Sequence, residues 1–230
     1  MSEPKRITIS WRKWTTVLGI VLATLCVAGV YAEHARYLLH SDSPLVDYFS
    51  LTEEKNVPTW WSSALLAACA VVLGFIAATK TRGPGQFKGH WIALSAIFCY
   101  MSIDELVEIH EWLNSLKSVD GLHGFLYYGW VVPAGAIVGV FALSYLKFLF
   151  HLPPKTRNAV ALAGLIYVGG AIGIELLLGV WTDVHGENNF MWAVIGAVEE
   201  AMEMLGSSLF LLTLLRYLGS SSLEIHFDER

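Results

Sequence analysis

Between Tyr100 and Trp112 the chain reads YMSIDELVEIHEW, which places Asp104, Glu105, Glu108 and Glu111 in a stretch apolar enough to cross a bilayer. A carboxylate at membrane depth costs about 3 kcal/mol on insertion scales, so such residues face a protein interior or a water-filled cavity. A second set, Glu199, Glu200 and Glu203, lies in the last apolar stretch, and Glu175 stands alone in the one before it. At about 100° per helical residue, Asp104, Glu108 and Glu111 share a face with Glu105 at its edge. Glu199 and Glu203 share another, flanked by Glu200. Both sets follow a [DE]-E-x-x-E spacing. Crowded carboxylates in a low dielectric cannot all be ionised: some carry protons, or a cation neutralises them. The chemistry this implies is proton exchange or the binding of Ca²⁺, Mn²⁺, Mg²⁺ or a transition metal.

The expected cation- or proton-binding residues are therefore Asp104, Glu108, Glu175, Glu199 and Glu203, with Glu105, Glu111 and Glu200 supporting them. A structural alternative has these acids holding the bundle together through hydrogen bonds to Tyr, Trp, Ser and Arg36. In a metal-enzyme alternative, His110, His123 and His185 join the carboxylates around a divalent ion that activates water or oxygen. No Glu-x-x-His or HExxH spacing is present, and Glu108 precedes His110 by two residues, which turns the imidazole about 160° away.

These residues need elements to carry them. Of 230 residues, 55% are hydrophobic and 15% charged, and the mean hydropathy is +0.52. The pattern predicts an all-α, single-domain bundle of six transmembrane helices over about 14–32, 58–79, 90–113, 125–150, 158–180 and 190–218. Pro58 opens the second at a position where its missing N–H is harmless, and Pro133 is expected to kink the fourth. An alternative reading of the first is a cleaved signal peptide ending near Val30-Tyr31-Ala32. Gly135-x-x-x-Gly139 and Gly169-x-x-x-Gly173 read as close helix contacts. Cys26, Cys69 and Cys99 fall in apolar spans without metal or redox spacing.

Twelve of the fifteen Lys and Arg residues fall on one side of this arrangement, leaving Arg36, Lys55 and Lys117 on the other. The positive-inside bias then predicts both termini in the cytoplasm. Sixteen of the twenty acids lie in the spans or the outer loops, forming an acidic vestibule open to the external face. An acidic motif on the third helix of each half suggests a 3+3 inverted repeat, the arrangement in which transporters place sites at the repeat interface.

Phe98-x-x-x-Ser102-x-Asp104-Glu105-x-x-x-Ile109-His110-Glu111, with Glu199-Glu200-x-x-Glu203-Met204-x-Gly206 and FSLTEEKNVPTW at 49–60, resembles a pattern in bacterial multipass membrane proteins to which no activity is attached. The resemblance implies a bacterial inner-membrane location and nothing about chemistry. The acids on paired halves are similar in architecture to small cation exchangers, although the E-x-G-D motif of those proteins is missing. The function expected is a cation transporter or channel, the cation being a divalent metal, a proton or both. The alternatives are a metal-dependent hydrolase or oxidase acting on a lipid-like substrate and a non-catalytic subunit of a membrane complex. Expected partners are the bilayer, a cation or small molecule and further copies of the chain. No phosphate-binding loop, nucleophile elbow or nucleic-acid-binding stripe occurs.

Overall fold

The computed structural model describes residues 11–80, 87–109 and 122–219, and all regular structure in them is helical. The helices are α1 (Trp11–Tyr37), α2 (Pro44–Phe49), α3 (Val57–Thr79), α4 (Lys88–Val107), α5 (Val131–His151), α6 (Pro154–Val168), α7 (Glu175–His185) and α8 (Phe190–Gly219). A single 3₁₀ turn, Gly124–Leu126, precedes α5, and a π-helical turn, Gly169–Ile174, joins α6 to α7. Counting α6, the π turn and α7 as one span, six helical segments are long and apolar enough to cross a membrane. Their outward faces carry large apolar side chains such as Val27, Val140, Leu143, Leu165 and Val184, each at least 70% exposed, as a lipid-facing surface requires.

Helix α8 is the hub. It packs along α1, α3 and α6, while α4 packs along α3. The two sides of the bundle differ. Where α3 ends and α4 begins, Leu73, Ile76, Trp91, Leu94, Phe148, Leu211 and Leu214 form a continuous buried core. Trp91 stacks on Tyr217 there, and Lys80 Nζ donates to the Tyr217 hydroxyl at 3.0 Å. At the opposite end, where α1 finishes and α3 begins, the interior is polar.

The α3–α4 pair is fixed by reciprocal hydrogen bonds. Ser63 Oγ donates to the Ser102 carbonyl at 2.7 Å and Ser102 Oγ to the Ser63 carbonyl at 2.9 Å, with Ser95 Oγ on the Ala70 carbonyl at 2.8 Å. Interhelical bonds of this type contribute about 0.6 kcal/mol each in a membrane bundle, and these set the rotation of the turn that carries Asp104.

Four local features differ from the sequence expectation. Helix α1 continues to Tyr37, so Glu33 and Arg36 are helical residues and not part of an external loop. Helix α4 is interrupted at Glu108, whose φ of 58° lies in the left-handed region. Helix α5 starts at Val131, which puts Pro133 in its first turn, where the missing N–H breaks no bond and no kink arises. The Gly135 and Gly139 positions meet no neighbour within 4 Å among the described residues, and Gly173 likewise meets none. A Cβ on Gly169 would sit 3.3 Å from Met202 Cε of α8, and closer approaches fall on Gly170 and Gly206. A Cβ on Gly170 would sit 3.0 Å from the Glu199 carbonyl oxygen, and one on Gly206 would sit 2.8 Å from Tyr167 N and Cβ.

Candidate functional site

A cavity of about 260 Å³ opens in the polar end of the bundle. Seven carboxylates line it: Glu54, Asp104, Glu105, Glu175, Glu199, Glu200 and Glu203. Trp130, Trp192, Tyr167 and Thr52 supply most of the remaining polar or aromatic wall, and among the described residues no Lys, Arg or His side chain contributes.

Each acid arrives by a distinct local device. Glu199, Glu200 and Glu203 come from successive turns of α8, and the Gly170 contact brings α6 and α8 close enough for those turns to form one wall. The π turn over Gly169–Ile174 inserts an extra residue in the turn just before Glu175, which, with Ala171, points into the cavity. Glu175 is 9% exposed, and its Oε1 accepts from Trp130 Nε1 at 3.0 Å. Asp104 and Glu105 come from the last turn of α4, and Glu54 from the segment before α3, where Thr59 Oγ1 donates to it at 3.3 Å.

The carboxylates are mutually close. Glu105 lies within electrostatic reach of Glu203, Glu54 and Asp104, and Glu200 within reach of Glu203, Glu105 and Glu54. The Tyr167 hydroxyl hydrogen-bonds Glu203. Glu199 and Glu175 approach one another within hydrogen-bonding range. Ionised carboxylates only accept, so a hydrogen bond between two carboxyls requires one shared proton.

A second layer positions the wall. Trp192 Nε1 donates to the Tyr128 hydroxyl at 3.3 Å, and that hydroxyl meets Thr182 Oγ1 at 3.1 Å. Burial pushes the Tyr128 hydroxyl up to about 12, against the opposing hydrogen bonds from Thr182 and Trp192, so it stays a neutral donor and acceptor at all ordinary pH.

The structure brings together six of the residues singled out from the sequence: Asp104, Glu105, Glu175, Glu199, Glu200 and Glu203. Glu105 and Glu200, expected as supporting residues, line the cavity directly. Glu108 does not line it. The left-handed turn carries its side chain to Lys55, whose Nζ is 2.9 Å from Glu108 Oε1, close enough for an ion pair but poorly angled for a hydrogen bond. Glu111 and His110 lie outside the described residues. His123 pairs with Asp183 at 3.0 Å, and His185 stacks on Trp181 with ring centroids 3.8 Å apart; neither reaches the cavity. Arg36 is turned to Asp47 and Glu53. Among the described residues, no three His, Cys, Asp or Glu side chains are arranged to hold a metal ion.

Glu54 is the member that sequence reasoning missed. It sits in a loop by every local signal, and only the folding-back of residues 49–56 onto α1 and α8 brings it inside.

The model of a family described as a domain of unknown function, DUF8692, matches residues 15–218 of the chain. No curated protein and no solved structure matches the chain.

Proposed function

The chain belongs to the DUF8692 family, and we propose that it is a cation-handling membrane protein, a transporter or channel, in which cations and protons compete for the carboxylate cavity. The observation that carries this reading is the lining of one cavity: seven acids and, among the described residues, no basic side chain around about 260 Å³. Desolvated like charges at this density repel strongly, and the arrangement is stable only when protons or a cation offset them. The Glu175–Glu199 approach supports the proton half of the reading, since a hydrogen bond between two carboxyls needs a proton that a bound cation would displace.

The carboxylates lie within electrostatic reach of one another, but among the described residues no three are arranged to ligate one ion directly, which favours a hydrated cation over a stripped divalent ion. Mg²⁺ fits such a site best among divalent metals, because it dehydrates reluctantly and keeps several waters. The metal-enzyme alternative has less support, because His123 and His185 are engaged elsewhere. With the positive-inside bias placing the polar end outside, a cation enters from the external face. It binds between α4, α8 and the α6–α7 junction, and is passed on as the carboxylates regain protons.

The test is reconstitution into liposomes holding a pH-reporting dye. An imposed inward gradient of Mg²⁺, Mn²⁺, Ca²⁺ or Na⁺ should drive proton efflux through the wild-type protein, falling at least tenfold in Glu199→Gln and Glu203→Gln. Equal efflux from these variants, or none from wild type with any of the four ions, would remove the proposal.

A further inference from the structure

Residues 49–56 contribute Leu51, Thr52 and Glu54 to one wall of the cavity. Loops normally run over the surface, yet Ser50 is 0% and Leu51 3% exposed. Leu51 is wedged among Leu25, Ala197 and Met204, between α1 and α8. Gly29 permits this, because a Cβ there would lie 2.3 Å from Leu51 Cγ. On the inner side, Leu51, Thr52 and Glu54 line the cavity, and Thr52 Cγ2 would be 3.1 Å from a Cβ on Gly196 of α8. On the outer side, Glu53 and Lys55 are half or more exposed. This wall is therefore one strand of chain thick.

The hold on this strand comes from α1. Glu33 is buried, and its Oε1 accepts from Ser50 Oγ and, at 3.1 Å, from Thr52 Oγ1. Its Oε2 is buried and has no hydrogen-bond partner among the described residues. A half-satisfied buried carboxyl is a weak anchor, because the unpaired oxygen gains partners when the local packing opens. One turn further on, Arg36 bridges Asp47 and Glu53. Lys55 within the stretch has a φ of 60°, and His40, ahead of α2, one of 51°, left-handed conformations that concentrate at switch regions.

We infer that residues 49–56 are the gate of the carboxylate cavity and that Glu33 is the positioning residue that holds it closed. This rests on the proposed cation site, so the test reads access to the cavity and not transport. In full-length protein in liposomes, with Cys26, Cys69 and Cys99 replaced by Ala, Met101→Cys places a reporter on the cavity wall. Trp60→Cys, in a separate protein, places one at the same end but outside the cavity, where the native side chain is 61% exposed. The readout is the labelling rate with a charged, membrane-impermeant thiol reagent.

Glu33→Ala should raise Met101→Cys labelling at least tenfold and leave Trp60→Cys labelling within twofold. Glu33→Gln should restore the closed rate, since its amide oxygen still accepts both hydroxyls. If Glu33→Ala does not fold, an oxidised Thr52→Cys/Gly196→Cys pair supplies the converse: labelling suppressed, then recovered on reduction. Equal labelling of Met101→Cys with and without Glu33→Ala, a parallel rise at Trp60→Cys, or indifference to the disulfide would each overturn the gate. Altered labelling in a protein that binds no cation would leave the gate standing and remove the cation reading.

Discussion

Among single residues, the fold separates carboxylates that look alike in the sequence. Glu108 and Glu203 occupy the same position in the two [DE]-E-x-x-E motifs, yet one pairs with Lys55 beyond a helix break and the other lines the cavity. Glu108→Gln should therefore leave cation affinity within about threefold of wild type, while Glu203→Gln lowers it more than tenfold in a titration of purified protein. Glu200 gives a test on stability. Its described neighbours of like charge are Glu203, Glu105 and Glu54, so Glu200→Gln removes repulsion. About 1 kcal/mol of relief would raise the unfolding midpoint by roughly 2–4 °C for a chain of this size, even as cation binding is lost, the trade expected where function requires a strained site. Tyr128 supplies a pH test. Its pKa is raised by burial to about 12 from 10.0, so the unfolded chain gives up the proton first. Stability is full below the unfolded value and falls as pH rises from about 10 to about 12. Tyr128→Phe should flatten that decline in thermal unfolding measured across the range.

At the scale of elements, the sequence carried the six long apolar helices plainly, because composition over about twenty residues decides them. It also pointed to six of the seven acids that line the cavity, since acids at membrane depth face a protein interior or a water-filled space. Three features were not legible, and the reasons are physical. The break at Glu108 is a single backbone conformation, and no Gly or Pro marks it. The π turn before Glu175 depends on how α6 meets α8; Gly169-x-x-x-Gly173 pointed to a contact there, but the closest approach is made by Gly170 between them. The inward position of Glu54 depends on Gly29 accepting Leu51, a contact between residues far apart in the chain. The α6–α8 approach is itself testable. A Cβ on Gly206 would press on the Tyr167 backbone and the Ala163 carbonyl oxygen at 3.0 Å, and neither can swing aside as a side-chain end can. Gly206→Ala should destabilise the protein by about 1–3 kcal/mol, read as a lower unfolding midpoint in detergent, and should weaken cation binding because Tyr167 holds Glu203.

At the scale of the whole molecule, the bundle is packed at one end and hollow at the other. The packed end carries Lys80, Trp91 and Tyr217 on a dense apolar core, and the hollow end carries the acids. That polarity matches the distribution of Lys and Arg along the chain and predicts that both termini face the cytoplasm, which a reporter fused to either end would read out. The two acidic motifs do not play equal parts: α8 gives three acids to the cavity, α4 gives two, and the α6–α7 junction and the gate add one each. The central claim is that this asymmetric set binds a cation in exchange for protons. The most direct measurement is calorimetric titration of purified protein with Mg²⁺ and then the other ions, repeated in two buffers of different ionisation enthalpy. The account predicts saturable binding with proton release, abolished in a Glu199→Gln/Glu203→Gln double variant and retained in Glu108→Gln. Binding without proton release, or binding that survives loss of both cavity glutamates, would contradict it.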